Sequence, residues 1–261
     1  LVGSEMCIRD SIWRVDVMIK YEIPEILKEH EAIIMENTRY SNEITFKIEE
    51  TKPWDSKLGG CPYLECIEDY PLDNEGKAMA FLAQINLSDL KNLNELPSKG
   101  LLQFFITNDD MYGLDSPIIV NYIENYKESE EDLVRENPYE NEYEEGLPFS
   151  NNGKMYFELR EMPISSSLDK FDELFEDNLS PEQYNRLQDD CYACDSRVGG
   201  YPYFVQNNYG FEENDFLLLQ LDIDDTCGIM FGDSGNCTFS ISKEDLRNRD
   251  FSKVVYDWQC C

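Results

Sequence analysis

"SKLGGCPYLE" occupies Ser56 to Glu65, and "SRVGGYPYFVQ" occupies Ser196 to Gln206. Both spell an aliphatic residue, two glycines, one free position and then Pro-Tyr. The first copy contributes Gly59, Gly60, Pro62 and Tyr63, the second Gly199, Gly200, Pro202 and Tyr203. Paired glycines reach positive φ without a Cβ penalty, and proline fixes φ while removing a donor, so each stretch predicts a sharp corner. At each corner the tyrosine is expected to bury its ring and keep a polar partner for its hydroxyl. A phosphate-cradling loop does not fit, because neither copy has GxGxxG or GxxxxGK[ST] spacing and no lysine follows.

The segments downstream of the two corners also recur. "KAMAFLAQINLSDL" (Lys77–Leu90) and "DFLLLQLDIDD" (Asp215–Asp225) are continuous apolar runs, each interrupted by one glutamine, Gln84 or Gln220. Such runs predict strands covered on both faces, whose glutamines must find partners. "GLLQFFITNDDM" is then echoed by "GNCTFSISKEDL", matching Gly100 with Gly235, Phe104 with Phe239 and Ile106 with Ile241. The chain therefore reads as duplicated, with a pseudo-twofold axis relating two packed halves and a cleft between them as the default ligand site.

Outside these segments, Ile26, Leu27, His30, Ile33 and Ile34 recur at helical spacing in Ile23–Thr38, and Ile44, Phe46 and Ile48 alternate as in a half-buried strand. Ser116–Tyr126 and Lys154–Ser165 read as further strands. Leu168, Phe171, Leu174 and Phe175 mark a helix, Ser180-Pro181 opens another towards Leu187, and the aromatic run before the C-terminus reads as a strand. Residues 124–145 are rich in acid with little periodicity, and predict an exposed, mobile insertion. The opening "LVGSEMCIRDS" resembles translated sequencing-adaptor sequence, so residues 1–17 are expected to be a non-native or disordered segment.

Composition narrows function. With 54 Asp and Glu against 22 Lys and Arg, the formal net charge is -32, which repels phosphate backbones and anionic membranes and attracts basic proteins. No apolar stretch reaches the about 18 residues a bilayer span requires, and no secretory h-region is present. Nine cysteines, an odd number without framework spacing, imply free thiols in a reducing cytosol. "CYAC" (Cys191–Cys194) has no second pair to complete a zinc site, and "LDIDDTCG" lacks the glycine and closing glutamate of a calcium loop. No metal and no cofactor are expected. His30 is the single histidine and "FGDSGN" is not a nucleophile elbow, which leaves no intact catalytic motif.

Read together, "SKLGGCPYL", "MAFLAQINLSDL", "LPSKGLLQFFI", "GGYPYFVQ", "LLLQLD", "GDSGNCTFSI" and "DLRNRDFSKVVYDWQCC" resemble the YwqG-like family, over most of the chain from about Trp54 onward. The resemblance implies a mostly antiparallel α+β fold with internal duplication. Members near toxin systems in some bacteria imply an immunity-like role, and no catalytic residue carries over. The sequence departs from the family pattern at Phe231, where a tryptophan is usual, and at Asp195 and Ser196, where a histidine is frequent.

The expectations are therefore an α+β protein, mostly antiparallel sheet with a few helices, forming one domain over 18–261. Its two pseudo-symmetric repeats, about 18–123 and 154–261, are joined by the acidic insertion 124–145. Its expected role is a non-catalytic cytosolic module that binds a basic partner. The alternative is a carboxylate-based or divalent-metal enzyme acting in the cleft between the repeats. Gln84, Gln220, Asp222 and Asp233 are the candidate binding residues.

Overall fold

The alternating residues around Ile44 and Phe46 form β1 (Thr38–Lys47), which buries Ile44 and Phe46 while exposing Thr45 and Lys47. It lies at the centre of a single sheet in the computed structural model, which describes residues 18–261 except 141, 142, 144, 145 and 209. The expectation for residues 1–17 lies outside the described residues. The other strands are β2 (Lys57–Leu58), β3 (Ala80–Asn86), β4 (Leu101–Ile106), β5 (Ile118–Ile123), β6 (Gly153–Pro163), β7 (Arg197–Gly199), β8 (Asp215–Leu221), β9 (Asn236–Ser242) and β10 (Val255–Gln259). The helices are α1 (Glu31–Glu36), α2 (Asp169–Phe175), α3 (Pro181–Asp190) and α4 (Lys243–Asn248). This is an α+β fold dominated by antiparallel strands, and none of its described helices is long and apolar enough to cross a membrane.

The ten strands are ordered β10-β9-β8-β7-β1-β6-β2-β3-β4-β5, and every neighbouring pair runs antiparallel. Central strands β1 and β6 pair continuously from Thr38↔Pro163 to Lys47↔Lys154. β1 then pairs with β7 and β6 with β2, so no cleft separates the sheet at its middle. The sheet also curls on itself. Phe104 on β4 and Phe239 on β9 are far apart in strand order, yet their rings meet edge to face at 4.9 Å. The loop after β4 reaches the opposite edge, where the Tyr256 hydroxyl and Trp258 indole donate to the carbonyls of Tyr112 and Met111.

Curling explains the continuous apolar runs. Leu82 and Ala83 on β3 and Leu218 and Leu219 on β8 face a shared inner core, whereas Phe81 and Leu217 pack into outer clusters. Each run carries one register irregularity, between Phe81 and Ala83 and between Leu217 and Leu219. Over β8 the outer layer is helical, with Leu27, Ile34, Phe171, Phe175 and Leu187 around Leu217. Over β3 and β4, Phe81 and Phe105 are covered by Leu64, Tyr70 and Met79, with Val134 and Tyr139 of the acidic segment against them. That segment is therefore a strap docked on the sheet and not the free insertion that its composition suggests, because apolar side chains among the acids and backbone hydrogen bonds such as Val134 N–H to the Leu64 carbonyl anchor it.

Local chemistry sets the helix limits. The helix expected over Ile23–Thr38 is a 3-10 turn (Glu25–His30) followed by the short α1. The Asn37 side chain and Thr38 hydroxyl take the carbonyls of Ile33 and Ile34, which ends it. Ser180 and Gln183 form a reciprocal capping box at the start of α3. α4, capped by Ser242, leaves no periodic signal in the sequence, because only Leu246 of its six residues is buried.

Candidate functional site

Each diglycine stretch makes the corner that its composition demands. Gly59 and Gly60 have φ of +62° and +75°, and Gly199 and Gly200 have +76° and +71°. A Cβ on Gly59 would lie 2.7 Å from the Phe149 ring, and one on Gly199 2.7 Å from Leu93, so close approach reinforces the conformational requirement.

Gln84 closes the first corner. Its Oε1 accepts from the Tyr63 backbone N–H (2.9 Å) and Gln103 Nε2 (3.0 Å), and its Nε2 donates to the carbonyls of Pro53 and Asp55 (both 2.9 Å). Beside it Lys57 is 2% exposed, and its Nζ donates to three carbonyls: Lys52 at 2.8 Å, Pro53 at 3.0 Å and Cys61 at 3.0 Å. Burial pushes that ammonium down to about 8. Ser56 Oγ donates to Asp89 and accepts from the Asn86 N–H. The Tyr63 ring is buried, and its hydroxyl bonds Glu65 and the Lys127 N–H of the strap.

Gln220 does the same work at the second corner. Its Oε1 accepts from the Tyr203 N–H (2.8 Å), and its Nε2 donates to Ala193 (3.1 Å) and Asp195 (2.8 Å) carbonyls. Arg197 stands where Lys57 stands, buried, donating to the carbonyls of Cys194 and Asp195 and to Met162 Sδ. Burial lowers its pKa. Asp222 accepts from the backbone of Asp195 and Ile223, its own N–H donates to Ser196 Oγ, and burial raises its carboxyl. The Tyr203 hydroxyl bonds that of Tyr192.

The four candidate binding residues occupy three places. Gln84 belongs to the first corner, Gln220 and Asp222 share the second, and exposed Asp233 lies in the turn before β9, its carbonyl accepting from Cys261. The two glutamines share no hydrogen-bond partner. Sequence reasoning overlooked Lys57 and Arg197. The usable signal was there: in both copies Ser and then a basic residue precede the aliphatic residue and the glycines.

A cavity of about 300 Å³ lies beside Arg197, lined among others by Glu43, Arg160, Asp190 and Cys194. Desolvation raises the Glu43 carboxyl although Arg160 pairs with it. Burial also raises the thiols of Cys191 and Cys194, the direction opposite to that which activates a nucleophilic cysteine. His30 pairs with Glu29 at 3.4 Å on the helical layer. Among the described residues no group of three or more His, Cys, Asp or Glu could hold a metal ion.

The run from the first corner through the last strand, residues 56–260, matches the sequence model of a family described as Domain of unknown function (DUF1963). The chain belongs to this family. No curated protein matches it. The DUF1963 match begins at Ser56, the residue whose hydroxyl ties the first corner to β3, and takes in both corners. β1 lies before the match, although it pairs with β6 and β7 at the middle of the sheet.

Proposed function

We propose that this DUF1963 protein is a non-catalytic binding module of two pseudo-symmetric repeats that engages a basic protein through its acidic strap. The repeat reading is supported by the strand order, in which β5-β4-β3-β2 and β10-β9-β8-β7 run inward from opposite edges towards β6 and β1. It is supported again by the paired corners, where a glutamine one strand away holds the tyrosine N–H in both. On this reading the pseudo-dyad passes between Thr45 and Tyr156, which face each other across β1 and β6.

The observation that carries the binding role is the strap. It presents Glu128, Glu130, Glu131, Asp132, Glu136 and Glu140 exposed. Its backbone is nevertheless held, by the Val134 N–H on the Leu64 carbonyl (3.0 Å) and by Asn137 Nδ2 on the Gly60 carbonyl (3.2 Å). An ordered acidic surface loses less entropy on association than a free tail, and its field accelerates encounter with a cation. The described cysteines are all unpaired, which supports a cytosolic setting.

The test compares the chain with a variant carrying Glu128, Glu130, Glu131, Glu136 and Glu140 as Gln in quantitative affinity capture. Basic proteins retained at about 50 mM salt should be lost from the variant, and from the native chain at about 500 mM. Equal capture by both proteins refutes the reading.

A further inference from the structure

A second, larger groove of about 550 Å³ takes none of its described lining residues from the strap and has the opposite electrostatic character. In a chain where acids outnumber cations 54 to 22, the groove is lined by Arg39, Lys243 and Arg247 with a single carboxylate, Glu95, among its described lining residues. It spans both halves of the chain: Arg39 and Tyr40 come from β1 and Glu95 from the loop before β4, whereas Phe216 is on β8 and Lys243 and Arg247 are on α4.

Arg39 is fixed before any ligand arrives. Its guanidinium donates to the carbonyls of Glu213 (2.5 Å) and Asp215 (3.2 Å) and lies 4.2 Å from the centre of the Tyr201 ring. Tyr201 and Glu213 line a neighbouring cavity that shares Arg39 and Lys243 with the groove, and these contacts spare the ordering entropy that a free arginine would lose. Arg247 is held by Nε on the Lys243 carbonyl (3.0 Å), and Lys243 Nζ lies 4.0 Å from Glu95, a loose pair. Tyr40, 42% exposed, adds aromatic surface to the same groove, which buried Phe216 also lines.

We propose that this groove binds a small phosphate ester carrying a flat apolar body, the chemistry of a mononucleotide. Two guanidinium groups and an ammonium suit the doubly charged phosphate, which guanidinium forks grip in bidentate fashion. The aromatic surface suits a ring, and the volume falls within the roughly 300–1,000 Å³ of small-molecule sites. A nucleic-acid polymer is excluded by the acidic field around the rest of the molecule, which a single small anion at a local cation cluster escapes through screening.

The test is thermal unfolding at about 150 mM salt, where the acidic field is screened, with adenosine 5′-monophosphate, inorganic phosphate and adenosine as probes. The monophosphate should raise Tm by about 3 °C near saturation, phosphate alone less, and adenosine not at all. Lys243→Gln with Arg247→Gln should weaken monophosphate binding about tenfold or more, since two charge-assisted hydrogen-bond donors are lost. Glu95→Gln should strengthen it, an effect that misfolding cannot imitate. The proposal is overturned if the monophosphate gives no shift, if the double variant binds it undiminished, if adenosine or phosphate alone matches it, or if Glu95→Gln weakens it.

Discussion

Replacing Gln84 with leucine should destabilise the protein by about 2–6 kcal/mol. The side chain is fully buried and makes four hydrogen bonds. Leucine preserves approximate volume but leaves the Tyr63 N–H and Gln103 Nε2, both in buried bonds to Oε1, without that acceptor. Each unsatisfied buried donor costs about 1–3 kcal/mol, which sets the range. The carbonyls of Pro53 and Asp55 add less, because the Pro53 carbonyl keeps the Lys57 ammonium and Asp55 is partly exposed, so that water can replace the lost donor. Gln220→Leu should cost about 2 kcal/mol, because its Oε1 serves one donor, the Tyr203 N–H, and no second side chain. Urea unfolding followed by circular dichroism measures both, with unchanged m-values as the check that the folded state is intact. Gln84→Leu combined with Gln103→Leu should cost less than the sum of the single changes, since each removes the other's partner. A loss below about 1 kcal/mol for Gln84→Leu, or a larger loss for Gln220→Leu, would refute the assignment of these glutamines as the clasps of the corners.

Lys57 provides a pH test. Its folded pKa of about 8 lies below the unfolded lysine value of about 10.4, so between these limits the unfolded chain holds a proton the folded chain has released. Stability contributed by this site therefore rises with pH across that window, by up to about 3 kcal/mol, and is flat below it. The stability difference between the native chain and Lys57→Met should follow this course in urea titrations from about pH 7 to pH 10.5, and a flat difference would count against the assignment. Tyr143→Phe removes a hydroxyl bonded to Tyr70, the Phe81 N–H and Asn137, and should cost about 1–3 kcal/mol. Because Asn137 also holds the strap to Gly60, trypsin should then cut faster at Lys127 and Arg135, and unchanged cleavage would count against Tyr143 as an anchor of the strap.

Much of the secondary structure was legible because its causes are local. The corners follow from φ at Gly59 and Gly60, and the buried strands from runs such as "FLLLQL". α3 follows from Ser180-Pro181 with Gln183 at the third helical position. The candidate site was legible only in part: Gln84 and Gln220 stood out as polar residues in apolar runs, but the carbonyls that their Nε2 groups meet lie on backbone before the glycines, at Pro53, Asp55, Ala193 and Asp195. The docking of the strap was not legible, because composition counts its acids equally, whereas docking depends on Val134, Tyr139 and Tyr143 reaching particular surfaces.

From its sequence alone this protein is an acidic α+β chain with two alike corners, each followed by a strand covered on both faces. Backbone preference, hydrophobic period and charge act over a few residues, and those properties depend on nothing else. Folding alone decided that β1 lies between β6 and β7, that Lys57 ends among three carbonyls, and that Arg39 meets Lys243 and Arg247 around one groove. These pairings join residues far apart in the chain, and which of them form is settled by the burial and hydrogen bonding of the whole sheet at once.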